Sequence, residues 1–256
     1  MSKYFDAHPG LDSFLEVVAA DFGLVQALGG NVSVKLGGRM AVKSSGKSMG
    51  SFDQEDFLHE VSIFGDKPID DIPGQSTRPS IEVTLHALLP EPLVLHLHST
   101  LGVAISLLAS VDEGLAEEVS ARGVIRLPYR RPGGQLTEGV REAIAGDNLY
   151  LLSNHGLLLA AGSVSELEDK LFSFEGWSRG LFGELRFPRI SPIGDRVRFS
   201  QEHTSRLQWH SQMNWRVSPD HCVFLGHKPD DETLHVIETA ASSDDVFRFR
   251  PVGESI

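Results

Sequence analysis

The stretch VLHLHS, Val94 to Ser99, sets two imidazoles two residues apart among aliphatic side chains. Successive side chains of an extended strand alternate faces, so His96 and His98 project to one side and offer ring nitrogens to a single point. A buried imidazole standing alone is equally well explained as a hydrogen-bonded core residue, and the pair by itself leaves that reading open. The same pair also suits a zinc site, because zinc accepts His nitrogen and carboxylate oxygen and then needs further ligands from elsewhere in the chain. His155, in SNHGLLLAAG, is the natural third group: a polar step beside a run of aliphatics, followed by Gly156, which permits close backbone approach. Glu82, in PSIEVTLH, is the fourth. At a helix start its carboxylate reads as a cap, and facing a metal it reads as ligand, base or both.

A second signal is rich in glycine and hydroxyls. GGN at Gly29 to Asn31 and SSGK at Ser44 to Lys47 offer backbone N–H groups and small donors of the kind that cradle an anion. Neither has the spacing of a nucleotide-binding P-loop, and both read as well as ordinary turns.

These groups must be positioned by regular elements. The apolar stripe Leu11, Leu15, Val18, Phe22 and Val25 predicts a helix over 11–28, with Asp12 or Ser13 as its cap. Val32, Val34 and Leu36, then Met40 and Val42, alternate on either side of Gly37-Gly38 and predict an antiparallel hairpin. The acidic, turn-rich segment that follows reads as part strand and part loop. A helix begins near Ser80 and places Glu82 and His86 on one face at i,i+4 spacing. LVLHLHS is a short buried strand, TLGVAISLLASV a buried helix, and the segment from Glu117 to Gly146 a short strand, a Gly/Pro turn and an amphipathic helix. NLYLLSNHGLLLAAG predicts two strands deep in a sheet, and Ser163 with Glu166 forms a capping box for a long helix.

With 256 residues the chain is long enough to bury a core without disulfides, and it reads as a single domain over 1–256: a core at about 10–180 and an extension at about 186–256 packed on it. Its 23 basic and 35 acidic side chains leave a formal charge of -12, which repels nucleic acid and anionic lipid. One cysteine, Cys222, excludes an intrachain disulfide and a multi-cysteine zinc site. The absence of an apolar N-terminal run or a ~20-residue apolar span predicts a cytoplasmic protein. His203, His210, His221, His227 and His235 follow no ligand spacing, and Trp209 and Trp215 read as packing anchors.

In order along the chain, GGNVSVK, KSSG, PSIEVTLH, VLHLHS and SNHGLLLAAG resemble the class II aldolase/adducin family, which includes fuculose-phosphate and rhamnulose-phosphate aldolases and ribulose-phosphate epimerases. The resemblance spans about residues 10 to 180. It implies an α/β fold, a three-layer α/β/α sandwich around a mainly antiparallel sheet, assembled as a homotetramer with active sites between subunits. It implies that His96, His98 and His155 bind Zn2+ or another divalent metal. Glu82 falls at the acid/base position, and Gly30, Asn31, Ser45, Gly46 and Ser80 fall where the family holds the substrate phosphate. His86 falls at a further motif position with no assigned role. Ile81 stands where fuculose-phosphate aldolases have a second serine, and Tyr129 does not match the position of their proton-donating tyrosine. RPSIE and the late SPDHCVFLG are more similar to the aldolase portion of aldolase/dehydrogenase fusion proteins, and Arg78 is a candidate for a substrate carboxylate. The implied activity is retro-aldol cleavage of a ketose phosphate or related carbohydrate through a metal-stabilised enediolate. Decarboxylation or epimerisation at the same metal is the alternative. A non-catalytic adducin-like module is disfavoured by the presence of all three histidines.

Overall fold

In the computed structural model, residues 2–26, 28–52, 54–144, 148–182, 191–193 and 196–198 are described. The helices are α1 (Ser2–Asp6), α2 (Leu11–Ala20), α3 (Val83–Leu88), α4 (Thr100–Leu108), α5 (Glu113–Ala121), α6 (Gly134–Ala143) and α7 (Val164–Phe182). The strands are β1 (Asn31–Leu36), β2 (Arg39–Lys43), β3 (Leu58–Phe64), β4 (Lys67–Asp71), β5 (Leu93–Leu97), β6 (Ile125–Leu127), β7 (Leu149–Leu152), β8 (Gly156–Ala161), β9 (Ser191–Ile193) and β10 (Arg196–Arg198). The first eight strands form one sheet in the order β4-β3-β2-β1-β5-β8-β7-β6, antiparallel except where β6 runs parallel to β7. The α/β class and the mainly antiparallel sheet are therefore as the sequence predicts.

Strand alternation divides the apolar residues between two faces. Leu93, Leu95 and Leu97 of β5, with Leu157 and Leu159 of β8, pack on one side among residues of α2, α4 and α7. Val94, Leu158 and Ala160 point the other way, against Leu85 and Leu88 of α3 and Leu136 and Val140 of α6. Both faces of the central strands are thus covered, which explains why these strands read as nearly continuous aliphatic runs.

The first helix is shorter than its apolar stripe. α2 ends at Ala20, and its N-cap is Gly10 with no side-chain cap, so neither Asp12 nor Ser13 serves that role. Asp21 Oδ1 accepts the Gly23 N–H, turning the chain out of the helix. Phe22 and Val25 nonetheless lie in the core, because periodicity reports burial rather than helical backbone. Half of the predicted capping box at α7 forms: Ser163 Oγ accepts from Glu166 N at 3.2 Å, while Glu166 Oε2 reaches one residue further back and accepts from Gly162 N at 2.8 Å. Among the described residues no helix is long and apolar enough to cross a membrane. The later histidines, Cys222, Trp209, Trp215 and SPDHCVFLG lie outside the described residues, as does the extension apart from the hairpin of β9 and β10.

α7 also secures the end of β5. Ser99 caps α4 by accepting from Gly102 N at 2.9 Å and donates to Glu175 Oε1 of α7 at 2.6 Å. Arg179 lies 3.8 Å from Glu175 and 3.0 Å from Asp21. Burial pushes the Glu175 carboxyl up to about 7, Asp21 adds to the rise, and Ser99 and Arg179 oppose it. A carboxyl with a raised folded-state value contributes stability fully below its unfolded value, and loses it as pH climbs through the folded value. The window is about pH 4.5 to 7, and the loss is on the order of 3 kcal/mol. Glu175→Gln keeps an acceptor for Ser99 but cannot ionise. Its urea-unfolding free energy should therefore gain on that of the unmodified protein between pH 4.5 and 8, whereas parallel pH profiles would contradict this account.

Candidate functional site

Three neighbouring strands have their ends at one place. β1 begins at Asn31, β5 ends at Leu97 and β8 begins at Gly156, and the register sets Asn31 opposite His96 and His96 opposite Leu158. His98 lies just beyond β5 rather than within it, and His155 just before β8. The β7–β8 turn that carries His155 is fixed at several points. Asn154 adopts φ +53° and donates its N–H to Ser106 Oγ at 2.9 Å, and His155 N donates to Leu152 O at 3.0 Å. Gly156, at φ +142°, passes so near β5 that a Cβ there would lie 2.1 Å from the Leu97 carbonyl oxygen, a position only glycine can occupy.

The imidazoles meet as the strand spacing predicts. His96 Nε2 lies 3.1 Å from His98 Nε2 and 3.2 Å from His155 Nε2. His96 Nδ1 is 2.8 Å from the Leu157 carbonyl, which can only accept, so Nδ1 carries the proton and Nε2 presents a lone pair to the cluster. Burial, reinforced by His96 and His98, holds His155 well below the ordinary histidine range. Three ring nitrogens within 4.8 Å of one another in a largely buried place fit a cation. Four ligands at about 2.0–2.1 Å around zinc stand about 3.3 Å apart, close to the two separations from His96 Nε2. The donor set therefore fits a divalent metal.

Glu82 is the N-cap residue of α3, yet its side chain makes no capping bond, which removes the simplest structural role for it. Asn31 Nδ2 donates to Glu82 Oε2 at 2.7 Å. Oε2 is 3.5 Å from His96 Nε2, Oε1 is 3.7 Å from His155 Nε2, and Oε1 is buried without a hydrogen-bond partner. The carboxylate thus stands over the imidazole cluster, held by one oxygen.

The predicted anion-binding residues reach the same place. Gly30, Asn31, Ser45, Gly46 and Ser80 line one cavity of about 100 Å³ together with Glu82, His98 and His155, while His96 lies fully buried behind it. Gly30, at φ +74°, passes 3.0 Å (measured from a built Cβ) from the His96 carbonyl oxygen. The sequence reading passed over Lys43, which also lines the cavity. It is 2% exposed, and its Nζ donates to Leu28 O at 3.1 Å and Lys47 O at 2.5 Å. A lysine immediately before a Ser-Ser-Gly turn was the available signal. Ile81 lies at the rim, 61% exposed. Arg78 is exposed and contributes its carbonyl to Ser45 N, and Tyr129 is not among the residues lining the cavity.

Comparison with known proteins agrees with the fold. Residues 16–179 match the family model described as class II aldolase and adducin N-terminal domain. The 3-oxo-tetronate 4-phosphate decarboxylase of Haemophilus influenzae is 31% identical over 180 residues, covering 65% of this chain and 82% of that protein. An uncharacterized oxidoreductase of Bacillus subtilis, YuxG, is 36% identical over 100 residues, which are 37% of this chain but only 14% of that protein. The crystal structure of YgbL from Klebsiella pneumoniae superposes with a TM-score of 0.54 at 26% identity, covering 71% of this chain and 93% of that one. The chain belongs to the class II aldolase/adducin family.

Proposed function

We propose that this protein is a metal-dependent carbon–carbon lyase acting on a phosphorylated, sugar-derived substrate, and that it releases carbon dioxide from a 3-oxo sugar acid phosphate. The observation that carries the reading is the convergence of two imidazoles, one carboxylate and one buried lysine on a single cavity, with His96 directly behind them at hydrogen-bonding distance of both imidazoles. The name of the Haemophilus influenzae relative favours decarboxylation. Retro-aldol cleavage of a ketose phosphate is the second reading, supported by the family motifs.

A divalent ion held by His96, His98 and His155, with zinc suited to the donor set, would supply Lewis-acid stabilisation of the substrate oxygen on which negative charge collects. The remaining work falls to the chain. Lys43 and the N–H and hydroxyl groups of Gly30, Ser45, Gly46 and Ser80 bind the phosphate and fix the substrate's orientation. Asn31 holds one oxygen of Glu82 and leaves the other to carry a proton. When the bond to the carboxylate breaks, its electron pair passes into the neighbouring carbonyl. Glu82, protonated from solvent on its free oxygen, then delivers that proton to the carbon left behind. The retro-aldol reaction needs one group more, to take the proton of the hydroxyl at the cleaved bond. Within this reading the chain is a single-domain, cytoplasmic homotetramer whose partner is a small carbohydrate. Its charge of -12 argues against nucleic acid and membrane surfaces.

Purified protein should carry about one divalent ion per chain, and chelation should abolish turnover and lower the Tm; turnover that survives thorough chelation would exclude a metal role. Glu82→Gln should retain the metal while losing roughly 10²-fold or more in kcat. With a panel of 3-oxo acid phosphates and ketose phosphates, carbon dioxide as the product supports the first reading and an aldehyde the second. Lys43→Met should raise KM for the phosphorylated substrate about tenfold or more with a smaller change in kcat. Equal KM for phosphorylated and unphosphorylated substrates in the unmodified enzyme would rule out phosphate as the handle.

A further inference from the structure

His86 takes no part in the chemistry above and does not line the cavity. It is fully buried on α3, where its Nδ1 meets Ser33 Oγ of β1 at 2.8 Å. Its Nε2 has no hydrogen-bond partner. One turn earlier on the same helix face, Glu82 meets Asn31 of the same strand at 2.7 Å. The spacings match: four residues of helix advance about 6 Å and two residues of strand about 6.6 Å. Two buried polar contacts therefore join α3 to β1 in step.

The short helix needs such a device. α3 has six residues, too few to be held by its own hydrogen bonds. Leu85 and Leu88 anchor it to one apolar cluster, and Ala87 packs with Met40 and Val61 in another. Apolar packing is non-directional and does not by itself single out one register. The polar contacts do, because a shift along the strand would leave the buried imidazole and the Ser33 hydroxyl unpaired. Burial, reinforced by His96, Lys35 and Lys43, holds His86 well below the ordinary histidine range, so its part is that of a neutral hydrogen-bonding group.

We infer that the His86–Ser33 contact is a positioning device that locks α3 in register on β1 and thereby holds the Glu82 carboxylate over the imidazole cluster. Its catalytic consequence rests on the role proposed for Glu82. His86 and Ser33 act through that residue and touch no substrate.

Ser33→Ala removes only a hydroxyl and serves as the main variant. His86→Asn, whose amide nitrogen stands near the place of Nδ1, is the conservative partner to His86→Leu. In crystals of Ser33→Ala the Glu82 carboxylate should leave hydrogen-bonding distance of Asn31. Its kcat should fall about tenfold with metal content unchanged, His86→Leu should behave alike, and His86→Asn should recover part of the loss. In a Glu82→Gln background, Ser33→Ala should change the rate less than twofold, because the group it positions is already gone. A Ser33→Ala crystal with Glu82 still bonded to Asn31, together with unchanged kcat, would overturn the inference even if the Tm falls. Full activity in Glu82→Gln alone would instead sink the catalytic reading of Glu82, and the crystal readout would still decide the positioning.

Discussion

Neutral imidazoles do not gather of their own accord. Lone pairs aimed at a common point repel one another, and burying them removes the water that would otherwise satisfy them. Holding His96 Nε2 at 3.1–3.2 Å from two other ring nitrogens therefore requires a stiff frame. That frame is the antiparallel register of β1, β5 and β8. Once Asn31 stands opposite His96 and Gly156 presses against the Leu97 carbonyl, the backbone positions of all three imidazoles and of the carboxylate's partner follow.

The labour is divided between two kinds of element. The imidazoles sit at or beside the ends of central strands whose two faces are both buried, so little can shift there. Glu82 sits at the start of a short helix laid across one of those faces. A metal ligand benefits from an immobile backbone, whereas a group that exchanges protons must reach more than one atom. The unpartnered Oε1 of Glu82, opposite the oxygen anchored by Asn31, fits that requirement.

Much of this was legible in the sequence because the relevant signals are periodic. His-x-His, the hairpin alternation around Gly37-Gly38 and the i,i+4 spacing of Glu82 and His86 each specify a direction in space, and each direction is realised. Groups whose role depends on tertiary contact were not legible. Lys43 precedes a Ser-Ser-Gly turn, which hints at an anion site, but nothing local announces that its Nζ reaches the carbonyls of Leu28 and Lys47. Ser33 is one polar residue in an alternating strand until α3 lays an imidazole on it. The first helix was read too long for the converse reason, since Phe22 and Val25 keep a helical spacing of buried residues after the backbone has left the helix.

The 59 positions from His96 to His155 in the chain also bear on how a divalent ion would be captured. His96 and His98 are neighbours in any conformation and can offer an ion two nitrogens before folding. The third nitrogen arrives only when β8 has docked on β5, a non-local pairing that closes a long loop and belongs to the slow steps of assembly. A divalent ion on the nascent chain would therefore be loosely held and exchangeable, and tight retention would begin with the completed sheet. Capture of a metal at this site would thus be an event of late folding, and the exchange rate of the ion would track how often β5 and β8 part.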